Sequence, residues 1–204
     1  MVSIFDELLG RFRAFVEAVD SDLVHDAAAR IDWAMAARPL TPRPLACLRH
    51  LDRAAEIVSA DARALMLHIA RNRDAFRWGQ SYGEADFDRA FIDNYGWLEV
   101  FGTRGHFIND TVAGGVLVLG PGLLYPDHHH LAEEIYVPLT GGAEWRMGEG
   151  PFVPRAADEV VHHASNVSHA MRTKNDPLLA LYLWRGGPLA EKSTVTGAVS
   201  REEA

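Results

Sequence analysis

The sequence predicts a mainly β protein with a helical N-terminal region, an α+β chain whose helices pack on a C-terminal β-barrel. Three observations carry this. Apolar residues follow helical spacing up to about residue 97 and fall into short strand-like runs after it. Glycine and proline punctuate those runs. A group of histidines with one glutamate falls inside them, where a barrel interior would hold it. The expected division is a helical region over 1–97, a barrel over 98–190 and a loose polar tail over 191–204.

The helices come first. Phe5, Leu8, Phe12, Phe15, Val16 and Val19 recur every three to four residues behind Ser3, a good N-cap residue. A second helix is expected over Val24 to Ala37. It ends before Arg38-Pro39-Leu40-Thr41-Pro42-Arg43-Pro44, whose prolines cannot sit inside a helix. Ala54 to Arg71 reads as a third helix. Glu84 to Asn94 reads as a fourth, with Phe87, Phe91 and Ile92 on one face. Strands are then expected over Val112–Leu119, Glu134–Leu139, Glu144–Met147, Glu159–His163 and Leu178–Trp184. Turn signals at Gly120-Pro121-Gly122, Gly141-Gly142 and Gly148-Glu149-Gly150 separate them, a rhythm typical of sandwiches and barrels.

Composition narrows the partners. The 204 residues, 48% of them apolar, suffice for one sizeable core. A net charge of −8 without any run of Lys or Arg argues against nucleic acid or an anionic membrane as partner. A single cysteine, Cys47, excludes an intrachain disulfide and a cysteine-based metal site, and it points to the reducing cytoplasm. The opening stretch MVSIFDELLGRF has the marks of neither a secretory signal nor a membrane anchor. A small molecule is the remaining class of partner.

Of ten histidines, six lie between His128 and His169. His128, His130, Glu134 and Tyr136 share even numbering, so in an extended segment all four project to one face. Ile135, Val137 and Leu139 then project to the other. Two imidazoles and a carboxylate make the common triad for a divalent first-row metal with open positions. His169, following a strand and a turn, is the best candidate for a fourth ligand. His129 and Glu133 point away by parity. His162 and His163 read as structural or supporting residues. The metal itself stays open among Zn, Fe, Mn, Co and Ni.

At this point the sequence resembles a cupin, a double-stranded β-helix or jelly roll. Gly122, His128, His130, Glu134 and Gly141 reproduce the spacing of the first cupin motif. The second motif is degenerate, with Asp158 and His169 at its acidic and ligand positions. Within cupins the chain is similar to the small cupin-type bacterial dimethylsulfoniopropionate (DMSP) lyases, through Tyr136 after the glutamate, Tyr125 before the histidines and His169-Ala170-Met171. That resemblance implies a metal-dependent lyase releasing dimethyl sulfide and acrylate by β-elimination. Tyr136 is then the candidate base. Tyr125 either binds the substrate carboxylate or shares that role. Aromatic faces attract a sulfonium, and Tyr182 and Trp184 share one strand face that suits its cationic end. The resemblance is also compatible with a homodimer. The same ligands equally serve an Fe(II)-dependent cupin dioxygenase, a metal-dependent isomerase or a non-catalytic binding cupin.

Overall fold

The computed structural model describes residues 2–196. Helix α1 (Ile4–Ala18) starts where expected, because the Ser3 hydroxyl accepts from the Asp6 N–H at 3.0 Å. It buries Leu8, Phe12, Phe15 and Val16.

The other helices are shorter than their apolar patterns suggest, and tertiary hydrogen bonds are the reason. Helix α2 (Asp22–Ala28) stops nine residues before Ala37. Beyond it the Asp32 carboxylate caps the Ala34 N–H in a tight turn. The Ala36 carbonyl then accepts from Ile108, and the Arg38 N–H donates to His106. The segment is thus drawn into an extended path beside residues 106–108. The expected third helix divides into α3 (Leu51–Ile57) and α4 (Arg63–Asn72). At the break Ser59 binds three ways: its N–H donates to the Leu139 carbonyl, its hydroxyl donates to Asp158, and that hydroxyl accepts from Ala62. Helix α5 (Arg89–Ile92) is one turn capped by Asp88.

Strands β1 (Trp78–Gly79), β2 (Tyr95–Gly102), β3 (Phe107–Ile108), β4 (Val112–Leu119), β5 (Leu124–His129) and β6 (Glu133–Pro138) follow. After them come β7 (Glu144–Met147), β8 (Val153–Pro154), β9 (Val161–His163), β10 (His169–Arg172), β11 (Leu178–Arg185) and β12 (Thr194–Val195). They form two sheets. The larger runs β1-β2-β4-β11-β6-β9 with β3 beside β2, and the smaller runs β12-β5-β10-β7-β8. All pairings except β2–β3 are antiparallel. This is the jelly-roll arrangement, two facing sheets rather than one closed ladder. Because β1 and the start of β2 belong to the larger sheet, the β part begins before residue 98.

Strand alternation divides the larger sheet cleanly. Leu98, Val100, Val116, Val118, Ile135, Val137, Leu179, Leu181 and Leu183 pack with the helices in one core. Full burial of each such leucine stabilises by about 1.5–3 kcal/mol. Tyr95, Leu117, Tyr136 and Tyr182 face the smaller sheet, with Tyr125, Trp145 and Met171. The polar tail is not loose where it is described. Thr194 and Val195 pair with His129 and His128, and Lys192 Nζ lies 2.6 Å from Asp86. Residues 197–204 lie outside the described part.

His106 ties the N-terminal segment to the sheet and is 2% exposed. Its Nε2 accepts from the Arg77 N–H at 3.2 Å, and its ring packs on Phe5 and Phe76. Burial pushes its pKa down from 6.5 to about 4. The unfolded chain therefore takes up a proton below about pH 6.5 that the folded chain refuses until about pH 4. Stability is expected to fall as pH drops through this window. Urea midpoints measured across it should decline less in His106→Gln, which keeps an acceptor but does not titrate.

Candidate metal centre

The short connection from β5 in the smaller sheet to β6 in the larger one brings the histidine run and the glutamate together. His128, His130, Glu134 and Tyr136 turn into the space between the sheets and are buried there. His129 and Glu133 are only partly buried, and Glu133 pairs with Arg185 and His162 on the outside. His169 arrives from β10, in register with His128.

Three backbone carbonyls fix the imidazoles. Nδ1 of His128 donates to Pro126 O at 2.8 Å, Nδ1 of His130 to Ala132 O at 2.8 Å, and Nδ1 of His169 to Val167 O at 2.9 Å. A carbonyl only accepts, so each Nδ1 carries a hydrogen and each Nε2 is left as the donor atom for an ion. His130 Nε2 lies 3.1 Å and His169 Nε2 3.3 Å from the same oxygen, Oε2 of Glu134. The ligand atoms of His130, Glu134 and His169 all fall within 4.8 Å of one another. His128 stands against this group, its ring centroid 4.1 Å from that of His169.

These residues fit a divalent cation. Nε2 of His169 is buried without a hydrogen-bond partner, a state that costs about 1–3 kcal/mol unless something binds it. Nitrogen and carboxylate donors in this combination suit first-row divalent metals. Burial alone would raise the Glu134 pKa, but His130, with His163 and His169, holds it well below the usual carboxylate range. Burial drives His128 well below its ordinary value, which keeps it neutral.

The neighbouring strand supplies the second oxygen's partner. Trp184 sits opposite Glu134 on β11, and its indole N–H donates to Oε1 at 2.5 Å. The same indole stacks on His130, with centroids 4.1 Å apart. Trp184 therefore grips two members of the group at once.

Around the group, a cavity of about 480 Å³ including its mouth is walled by aromatic side chains. Tyr125 stacks on His128 at 3.9 Å, and its hydroxyl shares a 2.8 Å hydrogen bond with Tyr82. Tyr136 lies two residues beyond Glu134, opposite Tyr182 on β11. Burial pushes all three phenols, Tyr125, Tyr136 and Tyr182, well above the ordinary tyrosine value, and at Tyr136 the Glu134 carboxylate adds to it. Tyr182 has room only because position 115 is glycine. A Cβ there would stand 2.6 Å from the Tyr182 hydroxyl and 2.1 Å from the Leu98 carbonyl.

Several wall residues escape sequence reasoning. Ser193 and, behind the wall, Tyr82 lie in stretches without periodicity; Arg104 lies in the turn after β2, and Trp97, on β2, is an aromatic for which the sequence offers no positional argument. His163 was detectable, since a strand ending at 163 puts it and Val161 on one face and His162 on the other.

Two buried sheets holding an imidazole–carboxylate group between them define a cupin-type protein. The sequence profile of the dimethylsulfoniopropionate lyases matches residues 22–180. The curated relative DddQ, a dimethylsulfoniopropionate lyase of Ruegeria pomeroyi, is 34% identical over 154 residues, covering 72% of this chain and 76% of its own. The crystal structure of DddQ from Ruegeria pomeroyi DSS-3 superposes with a TM-score of 0.84 at 28% identity, covering 95% of this chain and 96% of that one. A chain from the crystal structures of the DMSP lyases RdDddP and RnDddQII gives 0.86 at 29% identity, covering 95% and 97%. This chain belongs to the dimethylsulfoniopropionate lyase family.

Removing the indole N–H should loosen the group without dismantling it. Trp184→Phe is expected to weaken divalent-metal binding about 10- to 100-fold, measured by competition with a chromophoric chelator, with the far-ultraviolet circular dichroism unchanged.

Proposed function

We propose that this protein cleaves dimethylsulfoniopropionate to dimethyl sulfide and acrylate by β-elimination, using one divalent transition metal (Zn, Fe, Mn, Co or Ni). His130, Glu134 and His169 are its ligands, with His128 as the fourth. The observation that carries the reading is the pairing of this buried group with Tyr136 on the same inward strand face, in a chain of the DMSP lyase family.

When bound, a divalent ion supplies positive charge that withdraws electrons from the substrate carboxylate and favours the phenolate of Tyr136. Tyr136 Oη takes the proton from the carbon next to the carboxylate. The electron pair forms the carbon–carbon double bond, the carbon–sulfur bond breaks, and dimethyl sulfide leaves as a neutral molecule that needs no acid. Tyr125, held by Tyr82 and by its stack on His128, orients the substrate carboxylate. Tyr182, with Trp184 beside it, faces the sulfonium, each aromatic face contributing about 0.5–2 kcal/mol. A single buried Cys47 suits a reducing cytoplasm. Among the described residues no helix is long and apolar enough to cross a membrane.

The test is headspace assay of dimethyl sulfide from purified, metal-loaded protein given DMSP. Release should require metal and vanish in Glu134→Ala. In Tyr136→Phe it should drop about 10²- to 10⁴-fold with the metal still bound. Folded, metal-loaded protein that releases no dimethyl sulfide with any of the five metals would refute the lyase reading and bring the oxygenase forward. Release that persists in Tyr136→Phe would move the base role to Tyr125 or to a metal-bound hydroxide.

A further inference from the structure

His163 has no part in the ligand set or the elimination, yet it lies at the heart of the site. It is 1% exposed, and both its ring nitrogens lack a hydrogen-bond partner. Strand β9 places it directly opposite Glu134. Its Nδ1 stands 3.6 Å from Glu134 Oε2, the oxygen that His130 and His169 also approach. Its ring lies flat against that of His169, with centroids 3.9 Å apart and planes 19° from parallel.

That stacking decides what His163 can do. A nitrogen lone pair points along its own ring plane. The lone pairs of two rings stacked nearly parallel, with centroids 3.9 Å apart, do not converge within the roughly 2 Å of a metal–nitrogen bond. His163 and His169 therefore cannot bind one ion together. In the tautomer that carries its hydrogen on Nδ1, this nitrogen stands a few tenths of an ångström short of hydrogen-bond distance to Oε2.

We propose that His163 is a positioning residue for the metal centre: it donates its Nδ1–H to Glu134 Oε2 when the ion is bound. With Trp184 on Oε1, this clamps the carboxylate at both oxygens. The inference rests on the metal reading above and assigns His163 no contact with substrate.

The test compares His163→Leu with His163→Asn, whose amide nitrogen can occupy the place of Nδ1. Metal affinity is read by chelator competition, and ligand geometry by the visible spectrum of the cobalt(II) form, without substrate. Leucine should weaken metal binding about 10- to 100-fold and alter the cobalt bands. Asparagine should restore the affinity to within a few-fold of wild type. Thermal melting of the metal-free His163→Leu protein should be no lower than wild type, since an apolar side chain leaves no unpartnered nitrogen there. If leucine overpacks the site, His163→Val carries the same comparison. Wild-type affinity and spectrum in the leucine or valine variant would overturn the proposal. Equal loss in the asparagine variant would also overturn it, in favour of packing or direct ligation. Failure of the wild-type protein itself to bind any of the five metals would instead defeat the metal reading, and this proposal with it.

Discussion

A carboxylate that is almost wholly removed from water must be compensated by its neighbours, and Glu134 sets the arrangement around it. Burial of an ionised carboxylate is costly unless charge and hydrogen bonds surround it. Here three imidazoles approach one of its oxygens and an indole binds the other. Each neighbour comes from a different strand or loop: His130 from the β5–β6 connection, His163 from β9, His169 from β10 and Trp184 from β11. The two sheets must therefore both be in place before the group exists.

The helical layer serves this indirectly. Its apolar side chains cover the outward face of β2, β4, β6 and β11, so the inward face is free to carry polar and aromatic groups. Ser59 joins the two halves closely, bonding the α3–α4 break to Leu139 at the end of the strand that bears Glu134 and to Asp158 ahead of β9. Glycine at 115 has a matching role on the inner side, where its missing Cβ admits the Tyr182 ring.

Much of this was legible in the sequence, and the reason is parity. Along β6, even-numbered Glu134 and Tyr136 turn inward and odd-numbered Ile135 and Val137 meet the helices, as strand alternation requires; His128 and His130 also turn inward, although the chain turns at 130–132 and a register shift in β5 puts Tyr125 on the same side. The α1 cap was equally plain at Ser3. What sequence could not give is contact across strands. Nothing in the order of residues says that Trp184 lies opposite Glu134, or that His163 stacks on His169. Helix ends failed for the same reason. Residues 29–37 keep a helix-compatible pattern, yet Ala36 and Arg38 form hydrogen bonds to residues 106–108, about seventy positions along the chain but adjacent in space. Local propensity is a weak prior beside such pairings.

The place of Trp184 has an optical consequence. Of the five tryptophans, it is the one whose indole both lies on His130 and binds Glu134. An ion entering the group would change the charge felt by that fluorophore at contact range, and an open-shell ion such as cobalt(II) or nickel(II) would quench it. The protein thus carries its own emission probe, able to follow loading of the centre without a dye, a label or a turnover assay.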